Sequence, residues 1–119
     1  EWLSSKYFAK AGLQDRIVPI VGDATEVIPT LDGQFDLIFI DGDKTEYISY
    51  FEASLQKLAP DGLVVADNVI GYDKIFAETA SNDHFTHGIM AFNEYISKRE
   101  DVEKLILPVR DGLMLIRRR

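Results

Sequence analysis

The chain has 119 residues, with 20 acidic against 13 basic side chains and a net charge of −7, which argues against a broad nucleic-acid-binding face. It has no cysteine, which excludes a disulfide framework, a thiolate nucleophile and cysteine-ligated zinc. Its 46% hydrophobic residues can build one core, and no apolar run reaches membrane-spanning length, so one soluble, cytoplasmic domain without a membrane partner is expected.

Glu1 to Ala11 has helical period, and Gly12 ends it as a C-cap glycine would. Arg16 to Val21 reads as a strand, with Pro19 favouring an edge position because proline cannot donate to the ladder. Gly22-Asp23-Ala24 is a turn, Thr25 to Leu31 a short helix, and Asp32-Gly33 a second turn. Phe35 to Ile40 is a continuous apolar strand, expected to be covered on both faces. Thr45 to Leu58 reads as a crossover helix that turns Ile48, Phe51, Leu55 and Leu58 toward the sheet. Pro60-Asp61-Gly62 reads as a turn before a strand over Leu63 to Ala66. From Val69 to Gly88 the pattern is that of a long loop, with one helical turn near Ile75–Ala80; loops of this length are often functional. Ile89 to Lys98 is helical, and Arg110-Asp111-Gly112 between two apolar runs signals a hairpin whose last strand is antiparallel.

The strand–helix–strand unit from Phe35 to Asn68 organises the rest. Parallel neighbours lie about 4.8 Å apart, and their crossover is right-handed in nearly all cases. Asp41 and Asp67 each end one of the two strands, and Asn68 follows directly. Ligands bind at the carboxyl ends of such strands. Either aspartate alone is accounted for as a helix cap. The pair with Asn68 is better explained by a hard divalent cation, because neighbouring like charges repel and oxygen donors suit Mg²⁺, Mn²⁺ or Ca²⁺.

Lys44 stands three residues after Asp41, and an amine beside a cation loses its proton more readily, as a general base requires. Asp43 is expected to cap the helix or pair with Lys44, and Tyr47 and Tyr50 to pack. His84 and His87 lack helpers in register, so solvent-exposed or substrate-side roles are expected. No G-x-G occurs, so the dinucleotide fingerprint is absent.

Asp36-Leu37-Ile38-Phe39-Ile40-Asp41-Gly42-Asp43-Lys44, followed by Tyr47 and Tyr50, and Val64-Val65-Ala66-Asp67-Asn68-Val69 resemble the cation-dependent O-methyltransferases of the caffeoyl-CoA and catechol type. Lys6 to Leu13, Gly22-Asp23-Ala24 and Gly88 to Asn93 are similar too, so the likeness covers nearly the whole chain. It implies an α/β class I methyltransferase fold, Rossmann-like: a three-layer sandwich whose parallel sheet has an antiparallel last strand. It implies S-adenosylmethionine as cofactor, with Gly22, Ala24 and Asp41 on its side and Ala24 by the adenine. Asp41, Asp67 and Asn68 would hold the cation, and Lys44 would help deprotonate a hydroxyl of a small aromatic, catechol-like acceptor. A tendency to homodimers is implied as well.

The departure from the family is that its amino-terminal half, which carries the first two strands and the glycine-rich cofactor loop, is not among these residues. In the family's sheet those strands lie between the Arg16–Val21 and Phe35–Ile40 segments. Residues 1–119 are therefore expected to be the carboxyl-terminal part of one methyltransferase domain, inactive alone. The alternatives are a non-catalytic interaction fragment, a metal-independent methyltransferase, and a receiver-like domain phosphorylated on Asp41. The last lacks the acidic pair such domains place near their first strand.

Overall fold

The computed structural model describes residues 2–71 and 74–119. Helix α1 (Trp2–Lys10) ends before Gly12, whose φ of +68° suits glycine at a helix end. Arg16 to Val21 is irregular rather than a strand. A strand exists by pairing, none of the described strands lies beside this segment, and Pro19 has no N–H to offer. The short helix that follows divides into α2 (Ala24–Val27) and a 3₁₀ turn at Ile28–Thr30, where Pro29 cannot donate an α-helical bond.

Four strands form one sheet: β1 (Phe35–Ile40), β2 (Leu58–Asp67), β3 (Val102–Leu107) and β4 (Leu113–Arg118), in the order β1-β2-β4-β3. β1 and β2 are parallel, and β4 runs antiparallel to both β2 and β3. The expected parallel sheet with an antiparallel last strand is thus present. β2 begins at Leu58, earlier than the sequence suggests, because Pro60-Asp61-Gly62 stays in the sheet as an irregularity. The register passes from Phe35↔Leu58 to Leu37↔Leu63. Gly62 permits this: a Cβ there would lie 2.9 Å from the Phe35 carbonyl oxygen.

Helix α3 (Tyr47–Lys57), entered through a 3₁₀ turn at Lys44–Glu46, crosses from β1 to β2. Helix α4 (His84–Ser97) begins five residues before the expected Ile89, since Asp83 caps it by accepting the Thr86 N–H at 3.0 Å. The helical turn expected near Ile75 is a 3₁₀ turn at Lys74–Phe76; the part of the loop expectation that falls on Asp73 lies outside the described residues.

Tyr47, Phe51 and Leu55 of α3 and Phe92 and Ile96 of α4 are buried against Ile40, Val64, Ala66, Met114 and Ile116 of the sheet. Each large apolar side chain so buried contributes about 1.5–3 kcal/mol. The Phe92 ring meets Tyr47 edge-on, with centroids 5.4 Å apart. The other face differs from expectation: Leu37 is 62% exposed and Phe39 56%. Side chains alternate along β1, so Ile38 and Ile40 face the helices while Leu37 and Phe39 face away, on a strand at the sheet edge.

Candidate active site

The parallel register pairs Ile40 with Ala66. Asp41 and Asp67, each one residue further, therefore leave neighbouring strands at the same level. Helix α3 ties the two ends together. The Tyr47 hydroxyl is 3.2 Å from the Ile40 carbonyl oxygen and 3.1 Å from that of Asp67. Lys44 Nζ donates to the same hydroxyl and lies 3.1 Å from Asp41 Oδ1. Lys44 is only 5% exposed, unlike an ordinary surface lysine. Its ammonium is 4.4 Å from the centroid of the Tyr47 ring and 5.8 Å from that of Phe85, close enough for cation–π attraction. Tyr47 packs as expected and also forms the polar knot of the site. Burial, and then the charges of Asp41, Asp67 and Asp111, push its phenol far above the ordinary tyrosine range.

Asp43 caps the turn, accepting the Thr45 N–H at 2.9 Å, and these bonds hold its carboxyl below the usual range. Asp23 does the same for α2 through the Thr25 N–H at 2.8 Å and the Thr25 hydroxyl. The two capped turns leave between them a cleft of about 230 Å³ lined by Ala24, Ile28, Ile40, Asp41, Gly42 and Tyr50. Ala24 and Asp41 thus share one cleft, whereas Gly22 does not line it and instead packs under Val27. His84 is exposed at the start of α4, and His87 Nε2 lies 3.1 Å from the Ala80 carbonyl oxygen.

Asn68 has a φ of +62°, a left-handed conformation that asparagine tolerates better than most residues. Its N–H is 2.7 Å from Asp67 Oδ1, and its side-chain Nδ2 donates to Asp111 Oδ2. Asp67, Asn68 and Asp111 border a second cleft of about 380 Å³, together with Phe39, Arg110 and Leu113. Asp111 is the site neighbour that sequence reasoning missed. It looks like an ordinary Asp-Gly turn residue, yet only 4% of it is exposed.

The donor set fits a hard divalent cation. It offers two carboxylates and an amide and no nitrogen or sulfur ligand, and the Asn68 amide nitrogen is engaged by Asp111, which leaves its oxygen for another partner. Among the described residues, Asp67 and Asp41 each engage Oδ1 within the protein and retain Oδ2. Lys44 already balances Asp41, so charge repulsion alone does not require a cation here. Among the described residues no three His, Cys, Asp or Glu side chains are grouped as a metal site; the third donor here is an amide.

The sheet is Rossmann-like with an antiparallel last strand, and its acidic strand ends open on two clefts, as an α/β protein with a ligand site at its strand ends would have them. The O-methyltransferase family model matches residues 2–119, and the chain belongs to that family. It is 33% identical to a probable caffeoyl-CoA O-methyltransferase of Dictyostelium discoideum, a match covering 93% of this chain and 50% of the relative. It is 35% identical to a catechol O-methyltransferase of Niastella koreensis, covering 88% and 49%. Among solved structures, an SAH-bound methyltransferase from Podospora anserina superposes with a TM-score of 0.87 at 31% identity, covering 98% of this chain and 55% of that one. The Bacillus cereus O-methyltransferase in complex with SAH gives a TM-score of 0.85 at 27% identity, covering 98% and 57%. The chain thus spans about half the length of the relatives it matches.

Proposed function

We propose that this chain is the carboxyl-terminal part of a single methyltransferase domain that transfers a methyl group from S-adenosylmethionine to a hydroxyl of a small, catechol-like aromatic acceptor, with a divalent cation bound. The observation that carries this reading is the Ile40↔Ala66 register, which delivers Asp41 and Asp67 to one sheet edge beside the buried Lys44. The SAH bound to two solved relatives supports the methyl donor. The apolar, uncovered face of Leu37 and Phe39 and the free edge of β1 suit a missing half that adds strands and a covering layer.

In this reading Asp41, Asp67 and Asn68 hold the cation, which supplies Lewis-acid chemistry that makes a phenolic hydroxyl easier to ionise. The cleft at Ala24 and Asp41, with Ile28 and Ile40 in its apolar lining, would hold the adenosyl part of the donor. Lys44, in its unprotonated amine form, would accept the acceptor's hydroxyl proton, and Tyr47 holds the lysine in place. The ring of Phe85, part-exposed beside Lys44, offers a surface for an aromatic acceptor. Holding acceptor and donor in one orientation supplies a large part of the rate.

Methyl transfer by the full-length protein to a catechol tests the reading. Activity should vanish on chelation and return with Mg²⁺ or Mn²⁺. Turnover that persists in chelator would show a metal-independent enzyme instead.

A further inference from the structure

Asp111 belongs to the β3–β4 connection, far in sequence from the strand–helix–strand unit, yet it is built into the loop after β2. Its carbonyl oxygen accepts the N–H groups of Ile70 at 2.7 Å and Gly71 at 3.1 Å, and the next carbonyl, of Gly112, accepts the Val69 N–H at 3.1 Å. Gly112, at φ +90°, leaves no room for a side chain: a Cβ would stand 2.5 Å from Ile70 Cγ1. Among the described residues the two non-glycines with positive φ are Asn68 and Arg110, one on each side of this contact. Left-handed residues of this kind cost about 1–3 kcal/mol and gather at functional sites. Here both serve to bring the Asn68 amide and the Asp111 carboxylate together.

The chemistry of the contact has a direction. An ionised carboxylate only accepts hydrogen bonds, so it selects the NH₂ end of the amide and turns the amide oxygen away from itself. Asp111 is itself nearly buried, and its bond to Asn68 Nδ2 joins two side chains 43 residues apart. A loop staple alone needs only the backbone bonds. The side-chain pair adds the orientation of one amide.

We propose that Asp111 is a positioning residue that fixes the Asn68 amide with its oxygen toward the cation. Resting on the metal-dependent reading above, this adds a residue that acts on the metal through Asn68 without touching it. An uncharged partner at 111 presents both a donor and an acceptor, so the amide is free to turn over and present nitrogen to the cation.

The test is Mn²⁺ affinity, measured by electron paramagnetic resonance on the full-length protein. Asp111→Asn should weaken Mn²⁺ binding about 10–100-fold, the usual cost of losing a residue that orients a ligand. Asn68→Ala should weaken it as well, and adding Asp111→Asn to Asn68→Ala should cost nothing more, because the oriented group is already gone. Unchanged affinity in Asp111→Asn, or a loss that adds fully on Asn68→Ala, would overturn the proposal while leaving the metal reading intact. A wild-type protein that binds no Mn²⁺ would overturn both. A measurement without mutation covers the case of a misfolded variant. On addition of Mg²⁺, the Asn68 side-chain carbonyl carbon resonance should shift while its Nδ2 protons remain slow to exchange. Nδ2 protons that exchange freely would contradict the assigned orientation.

Discussion

Gly88 on α4 lies directly against the backbone of Lys44: a Cβ at Gly88 would stand 2.5 Å from the Lys44 carbonyl oxygen and 2.8 Å from the Thr45 N. The helix thus closes on the turn that carries the lysine, and Phe92, one turn further along α4, packs on Tyr47 from the same side. Replacement of Gly88 by alanine brings two effects of opposite sign. Alanine is the better helix former by about 1 kcal/mol, but the added methyl is forced into backbone that has no rotamer to move, and overpacking of this kind costs about 1–3 kcal/mol. The steric term is expected to win. Gly88→Ala should therefore lower the midpoint of denaturant unfolding, and an unchanged or raised midpoint would show that α4 stands further from the turn.

Lys44 is held by Asp41 on one side and the Tyr47 hydroxyl on the other. Lys44→Met keeps the apolar stem against the Tyr47 and Phe85 rings and removes the amine. Positioned acid–base groups contribute about 10²–10⁴-fold. The full-length variant should lose turnover by a factor in that range with Mn²⁺ affinity retained. Turnover within a few-fold of the wild type would remove Lys44 from the proton transfer.

Alkaline pH should destabilise the protein through its tyrosines. The Tyr50 hydroxyl donates to Glu46, and that bond, with lesser help from burial and the carboxylate charges, pushes its phenol up to about 12. Burial raises Tyr47 further still. Both groups bind their proton more tightly when folded, so their contribution is complete below the unfolded tyrosine value of about 10 and is lost as pH rises through the folded values. Unfolding free energy should fall from about pH 10 upward, and Tyr47→Phe together with Tyr50→Phe should flatten that fall. A slope unaffected by the two substitutions would place the alkaline sensitivity elsewhere.

Much of this architecture is legible in the residues themselves. The apolar period of Phe35–Ile40 and the α3 stripe of Phe51 and Leu55 mark strand and crossover helix, and the paired strand ends place Asp41 and Asp67. What escapes is decided by partners far along the chain. Arg16 to Val21 has strand composition but, among the described residues, no strand to pair with. Pro60-Asp61-Gly62 has turn composition, yet the sheet carries it as an irregularity because Gly62 allows close approach to Phe35. The start of α4 looks like loop, since His84 and His87 break the apolar pattern, but the Asp83 cap sets the boundary. Asp111 carries only a turn signal in sequence; its contact with Asn68 exists only after β4 inserts between β2 and β3.

The central claim is that Asp41, Asp67 and Asn68 serve one divalent ion, and calorimetric Mn²⁺ titration of the full-length protein and its Asp67→Ala variant tests it most directly. Asp67 is half-buried, and among the described residues its side chain bonds the adjoining Asn68 N–H alone, so the variant should stay folded. The account predicts one Mn²⁺ bound by the parent and at least a tenfold weaker binding in the variant, since losing a ligand costs no less than the roughly 10–100-fold of losing a residue that orients one. Equal Mn²⁺ affinity in the two proteins would contradict it.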